Sequence, residues 1–78
     1  MLTKLERINR DLKLKGFSPK CLSVEKIIII HDEEYEWSIT ETTIRRYDWK
    51  TGVMNCVMDT FKTVKEFEVK FEKMMVAQ

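Results

Sequence analysis

Near the start of the chain, apolar residues recur every three or four positions, which is the spacing of one face of an α-helix. The apolar stripe consists of Leu5, Ile8 and Leu12. Thr3 stands three residues before Glu6, the spacing of a capping box that satisfies the first free amides of a helix. Gly16 stands where a helix would end in a left-handed residue. The pattern predicts a first helix over residues 3–15.

The last part of the chain repeats this pattern. Its apolar stripe consists of Val64, Phe67, Phe71 and Met74 or Met75. Thr63 stands three residues before Glu66, again with capping-box spacing. The pattern predicts a second helix over residues 63–77.

Between the helices, apolar and polar residues alternate, which predicts β-strands. The predicted strands cover about residues 22–31, 34–40, 43–49 and 53–59. Gly52 ends a three-residue hairpin loop that begins at Lys50. A length of 78 residues leaves room for one domain, spanning 1–78. We expect an α+β fold of order α-β-β-β-β-α, in which a four-stranded antiparallel meander sheet carries both helices on one face.

The pairing of the strands decides which side chains share a face of the sheet. A tight connection that pairs Ile30 with Tyr35, and a loop at 41–43 that pairs Trp37 with Tyr47, turn four aromatic residues toward the helices. These residues are Tyr35, Trp37, Tyr47 and Trp49. We expect them to form the floor of the core. Exposed beside Arg45, they would instead form a platform for stacking on nucleic-acid bases.

The opposite face of this predicted sheet carries Ile27, Ile29 and Ile44. A sheet that is covered on one side should be polar on the other. These isoleucines therefore predict either strands that the chain itself covers or an apolar interface with a partner or a second copy.

The composition argues against a disordered tail, a collagen-like repeat and a disulfide-dense scaffold. Apolar residues make up 44% and charged residues 35% of the chain, with a formal net charge of +1, which indicates a globular domain. The net charge is small because segments of opposite charge cancel. Residues 1–20 carry +4, residues 21–41 carry −5, and residues 42–78 carry +2. Charged surfaces that recognise a partner are therefore expected.

Two groups of charged residues are candidate binding sites. The acidic hairpin consists of Glu33, Glu34 and Glu36. The basic stripe of helix one consists of Lys4, Arg7 and Arg10, which could contact phosphates or an acidic protein surface.

Side chains that bind metals or perform catalysis match no known spacing. His31, the single histidine, stands beside Asp32, and neighbours in one turn rarely converge on a metal ion. Catalysis by a nucleophile needs a base and an orienting group beside it, and no such set is visible. We expect no catalytic residue, no metal and no cofactor.

The longest purely apolar run, Ile27–Ile30, is too short to cross a bilayer, and the first residues lack the apolar core of a signal peptide. We expect a cytoplasmic protein without membrane contact. In that compartment Cys21 and Cys56 are predicted to be free, buried thiols, with a Cys21–Cys56 disulfide as the alternative.

The order of elements resembles that of the double-stranded-RNA-binding domain, which is α-β-β-β-α. The residues depart from that family's pattern. Its second helix opens with a lysine cluster after glycine, whereas here Lys62 and Lys65 are separated and glycine is missing. The resemblance concerns topology, which says little about function.

These patterns predict a small non-enzymatic protein-binding module, of the regulator or inhibitor kind, that acts through charged surface complementarity. Its partner would be another protein or a second copy. The alternative is a nucleic-acid-binding module that uses the basic face of helix one.

Overall fold

The structure, a computed structural model, describes residues 2–32, 34–48 and 55–76. Within these ranges the chain forms two helices and a five-stranded antiparallel sheet whose strands lie in sequence order. The elements are α1 Lys4–Leu14, β1 Lys20–Leu22, β2 Ile27–His31, β3 Tyr35–Ile39, β4 Thr43–Asp48, β5 Asn55–Thr60 and α2 Val64–Val76. The α+β class is confirmed, and the prediction of four strands is wrong. The predicted loop from Lys50 to Gly52 lies outside the described residues.

The additional strand arises because a turn at residues 23–26 interrupts the predicted strand at 22–31, so that Leu22 ends a separate strand, β1. β1 and β2 are antiparallel partners, joined by a turn at residues 23–26. Lys26 has a φ of 55°, a left-handed conformation that residues other than glycine and asparagine rarely adopt. The turn contains none of the usual turn residues except Ser23, so the sequence pattern does not reveal it. The fifth strand is a further departure from the α-β-β-β-α layout.

The capping box at the start of α1 is present as predicted. The backbone N–H of Glu6 donates to Thr3 Oγ1 at 3.2 Å, and that of Thr3 donates to Glu6 Oε1 at 3.0 Å. Hydrogen bonds from the backbone N–H and then the side chain of Thr3 hold the pKa of Glu6 below its ordinary value. The helix ends at Leu14, Gly16 follows its cap in a left-handed conformation (φ 97°), and the Phe17 N–H donates to the Leu12 carbonyl.

The start of α2 differs slightly from a capping box. Thr63 Oγ1 accepts from the Glu66 N–H at 3.1 Å, as the spacing predicts. The Glu66 carboxylate, however, accepts from the backbone N–H of Lys62 at 3.2 Å, one residue earlier. Both bonds satisfy amides at the helix start, and they account for the position of α2.

The β2–β3 hairpin is tighter than predicted. The Asp32 N–H donates to the Tyr35 carbonyl at 3.0 Å, so the chain is paired up to these two residues. Ile30 therefore lies opposite Trp37 instead of Tyr35. A shift of two residues leaves every side chain on its predicted face. Ile28, Ile30 and Trp37 are accordingly buried.

In the β3–β4 hairpin the pairing differs from the predicted one by a single residue, which exchanges the two faces of β4. The Thr40 N–H donates to the Thr43 carbonyl at 2.9 Å, and Trp37 lies opposite Arg46 instead of Tyr47. Ile44 is fully buried in the core. Its predicted place in an apolar interface is therefore wrong, and so is the placement of Tyr47 in the core.

The core contains side chains from both helices and from one side of the sheet. Its members are Leu5, Ile8, Leu12, Ile28, Ile30, Trp37, Ile39, Ile44, Phe61, Phe67, Phe71 and Met74. The ring of Phe71 lies 4.6 Å from that of Trp37 and 5.3 Å from that of Phe67. Trp37 therefore belongs to the core, and with it Tyr35, which packs against the core; Trp49 lies outside the described residues.

Candidate interaction surface

Strand pairing divides the sheet into a core side and an opposite side, here called the outer face, because side chains alternate along each strand. Residues that are directly opposite one another in neighbouring strands share a face. The described residues of the outer face are Lys20, Leu22, Ile27, Ile29, His31, Glu36, Ser38, Thr43, Arg45, Tyr47, Cys56, Met58 and Thr60.

An aliphatic patch lies on the β1–β2 half of the outer face. Leu22 lies opposite Ile27, and Ile29 lies between Lys20 and Ser38 in the adjoining strands. All three aliphatic side chains are half-buried. Two of the three isoleucines predicted to form an interface therefore lie together on this face, and the third, Ile44, does not.

Charged groups border the aliphatic patch. Arg45 is exposed and lies opposite Ser38 in the same transverse row as Ile29. Glu36 lies in the next row, with its Oε1 3.4 Å from Nδ1 of His31. The outer face thus combines aliphatic surface with side chains of both signs.

The two described members of the acidic hairpin lie in different places. Glu36 belongs to the outer face, Glu34 is exposed in the loop, and Glu33 lies outside the described residues. Sequence reasoning gave no separate role to Asp32, whose Oδ1 accepts the backbone N–H groups of Glu34 and Tyr35, both at 2.9 Å. An aspartate at the start of a two-residue connection is a signal for such a turn.

The basic stripe of α1 is also divided. Nζ of Lys4 lies 4.8 Å from the centre of the Phe61 ring, a cation–π contact with the segment that leads into α2. Arg7 and Arg10 are exposed. Residues six positions apart on a helix point about 120° away from each other, so Lys4 and Arg10 do not share a face.

β5 forms one edge of the sheet. The side chains of Cys56, Val57 and Met58 are exposed. At the end of the strand, Asp59 receives hydrogen bonds from the Thr60 N–H at 2.8 Å and from Lys70 Nζ at 3.3 Å.

These two contacts change the titration of the pair. The Thr60 N–H and then the Lys70 ammonium hold the pKa of Asp59 below its ordinary value. Partial desolvation lowers the pKa of Lys70, but the hydrogen bond and charge of Asp59, together with Glu66, outweigh it and the net shift is upward. The pair is therefore charged near neutral pH.

Both cysteines are free, and a bond between them is excluded by the topology. Cys21 lies on β1 and Cys56 on β5, the two edges of the sheet. Four strand spacings separate the edges by about 19 Å, far beyond the reach of a disulfide. Cys56 is exposed, so the prediction that both thiols are buried is wrong.

Pockets and metal-binding groups are limited in the part of the chain that the structure describes. A cavity of about 170 Å³ lies between the start of α1 and the β1–β2 turn, with Leu5, Cys21 and Lys26 in its wall. This volume is below the few hundred Å³ that ligand sites usually offer. No group of three His, Cys, Asp or Glu side chains in the described ranges could hold a metal ion. Neither described helix has the length and apolar character needed to span a membrane.

Comparison of the chain with protein-family models, curated proteins and solved structures found no match. The physical character of its surfaces is therefore the basis for a functional assignment.

Proposed function

We propose that this protein is a small non-enzymatic protein-binding module, of the regulator or inhibitor kind, that binds its partner through the outer face. The observation that carries the proposal is the half-buried patch of Leu22, Ile27 and Ile29 on the side of the sheet that the core does not use. None of the described core residues lies on this face, which leaves it available to a partner. Apolar patches bordered by polar groups are typical of interaction sites.

The charges on the outer face support a protein partner. Interfaces combine an apolar centre with a polar rim, and rim charges fix orientation and increase association rates. Here Arg45 and Lys20 lie in the row of Ile29, and Glu36 lies in the neighbouring row. A partner with aliphatic side chains flanked by charges of both signs would complement this arrangement.

Nucleic-acid binding, the alternative, is less well supported by the same contacts. Lys4 packs on Phe61, which leaves Arg7 and Arg10 as the exposed members of the predicted stripe. Glu36 would repel phosphates from the outer face. Among the described residues, one aromatic side chain, the half-buried Tyr47, lies on that face, where stacking on bases usually needs two or three.

Affinity capture from extracts of the source cells tests the proposal. The bait is used as wild type, as Ile29→Ser, and as Arg10→Ser, which removes an exposed side chain of α1. We expect one protein to be retained by the wild type and by Arg10→Ser and to be lost with Ile29→Ser, while circular dichroism shows all three folded. Loss with Arg10→Ser and retention with Ile29→Ser would overturn the proposal.

The same samples test the alternative. Nucleic acid recovered with the bait, released steeply between low and physiological salt, would favour phosphate recognition instead.

A further inference from the structure

The two edges of the sheet differ in their protection against pairing with another strand. β1 has three residues, follows Pro19 directly and carries Lys20. Short edge strands, proline and lysine are the devices by which natural sheets prevent edge-to-edge association. β5 has six residues and carries neither proline nor charge from Asn55 to Met58. It is the unprotected edge.

The hydrogen-bond pattern of the β4–β5 pair shows which backbone groups of β5 face outward. The Phe61 N–H donates to the Thr42 carbonyl at 2.9 Å. Because bonding alternates along antiparallel strands, Asn55, Val57 and Asp59 point their backbone groups toward β4. Backbone groups of the intervening residues point away from the sheet. These residues are Cys56, Met58 and Thr60.

The outward groups of Thr60 already have partners within the chain. Its N–H donates to Asp59 Oδ1 at 2.8 Å, and its carbonyl accepts from Lys70 Nζ. This closes the C-terminal end of the edge. The outward N–H and C=O groups of Cys56 and Met58 form the part of the edge that can pair with another strand, next to the exposed side chain of Val57.

We propose that β5 pairs antiparallel with β5 of a second copy of this chain, around a two-fold axis at Val57. The two sheets then form one continuous sheet of ten strands, with both outer faces on the same side. Antiparallel strand addition at an exposed edge is an established mode of protein recognition, in which the backbone supplies the hydrogen bonds.

A second copy is favoured because this segment is complementary to itself. In the register centred on Val57, Met58 lies opposite Cys56 of the second copy, so that outward-facing backbone groups meet each other and bond in pairs. Asp59 lies opposite Asn55 of the second copy, so no acid faces an acid. The segment between them is uncharged and exposed on both faces, which suits an uncharged strand of the same length.

Sedimentation velocity tests the association. We expect a species of twice the 9.4 kDa chain mass at about 100 μM, where a dimer with a micromolar Kd is largely formed. Met58→Pro removes an outward N–H and no bond to β4, so it should give a folded monomer, whereas Met58→Ala should remain dimeric. A wild-type monomer at this concentration, or a dimer that persists in folded Met58→Pro, would overturn the proposal.

Hydrogen exchange tests the edge without any substitution. In the proposed dimer the amides of Cys56 and Met58 become protected as protein concentration rises, because they bond to the second copy. A dimer formed through the outer face or a helix would leave both amides exchanging freely, and that result would contradict the strand pairing.

Disulfide trapping tests the register. In a Cys21→Ser background, Met58→Cys places a new thiol opposite Cys56 of the second copy, at the roughly 5.5 Å Cα separation of paired residues, which a disulfide can bridge. Mild oxidation with oxidised glutathione should link the two chains. The matched variant with Cys56→Ser added should stay unlinked, since its thiols lie two residues out of register. Equal linking of both variants would contradict the two-fold axis at Val57.

The outcome is independent of the proposed function. If the protein is a monomer in these experiments, the partner can still be captured through the outer face. If the partner is not captured, β5 can still pair with a second copy.

Discussion

Trp37 and Arg46 lie directly opposite each other on the core side of the sheet, and α2 contacts both of them. The ring of Phe71 packs on Trp37, and Arg46 Nη1 donates to the carbonyl of Met74 near the end of the helix. The Arg46 guanidinium also lies 4.6 Å from the centre of the Tyr35 ring. A buried cation thus joins the last turn of α2 to the middle of the sheet, where its charge complements the helix dipole.

Replacement of Arg46 by alanine should be strongly destabilising. It removes a buried hydrogen bond, the ring contact and the packing of the side-chain stem, which together should cost about 2–4 kcal/mol of unfolding free energy. Arg45 is the matched control, because it is exposed on the outer face, and Arg45→Ala should change stability by less than about 0.5 kcal/mol. Urea unfolding of the two variants measures the difference. Equal losses would contradict the face assignment of β4.

Two adjacent isoleucines of β2 should also differ in how much stability is lost when each is replaced by alanine. Ile28 is fully buried, whereas Ile29 lies half-buried on the outer face. Ile28→Ala should cost about 2–5 kcal/mol, the range for large-to-small changes in a core. Ile29→Ala should cost about 1 kcal/mol or less, because its site is partly open to solvent. Chemical denaturation measures the loss of unfolding free energy for each variant. A larger loss for Ile29→Ala than for Ile28→Ala would contradict the assignment of Ile28 to the core side of the sheet.

Asp32 should stabilise the β2–β3 hairpin through its carboxylate. Asp32→Ala removes the acceptor for the backbone N–H groups of Glu34 and Tyr35 and should cost about 1 kcal/mol. Asp32→Asn keeps an oxygen acceptor and should recover most of this loss. Thermal unfolding of the two variants checks the order, and equal destabilisation would show that the side-chain oxygen does not order the turn.

Acid should destabilise the folded protein because it protonates the carboxylate of Asp59. Its pKa is lowered in the folded chain, so its contribution is complete above its ordinary value of 3.8 and is lost as the pH falls below that value. Unfolding measured between about pH 6 and pH 2 should show wild type losing more stability than Asp59→Asn.

The relative weights of the two contacts of Asp59 can be separated. Because the hydrogen bond from the Thr60 N–H is the largest single cause of the lowered pKa of Asp59, Lys70→Met should reduce the pH-dependent difference without abolishing it. Parallel curves for wild type and Asp59→Asn would contradict the account of this pair.

Local signals predicted the helices well, and pairing across the sheet much less well. The Thr3–Glu6 box and Gly16 fix the ends of α1 through contacts between residues close in sequence, which a pattern can contain. The β3–β4 turn instead depends on Thr40, whose Oγ1 accepts from the Thr43 N–H at 3.1 Å, and no glycine or proline announces it.

An error of one residue at that turn was enough to exchange the environments of Ile44 and Tyr47, because strand faces alternate with a period of two. The β1–β2 turn was missed for a related reason. It depends on a left-handed Lys26, a conformation that the residue type does not favour.

The most direct test of the central claim is hydroxyl-radical footprinting of the captured complex, read by mass spectrometry at single residues. The account predicts that Ile27 and Ile29 react less in the complex than in the free protein, while Leu14, which is 79% exposed on α1, reacts equally in both. Protection of Leu14 with unchanged reactivity of the two isoleucines would contradict the outer face as the binding surface.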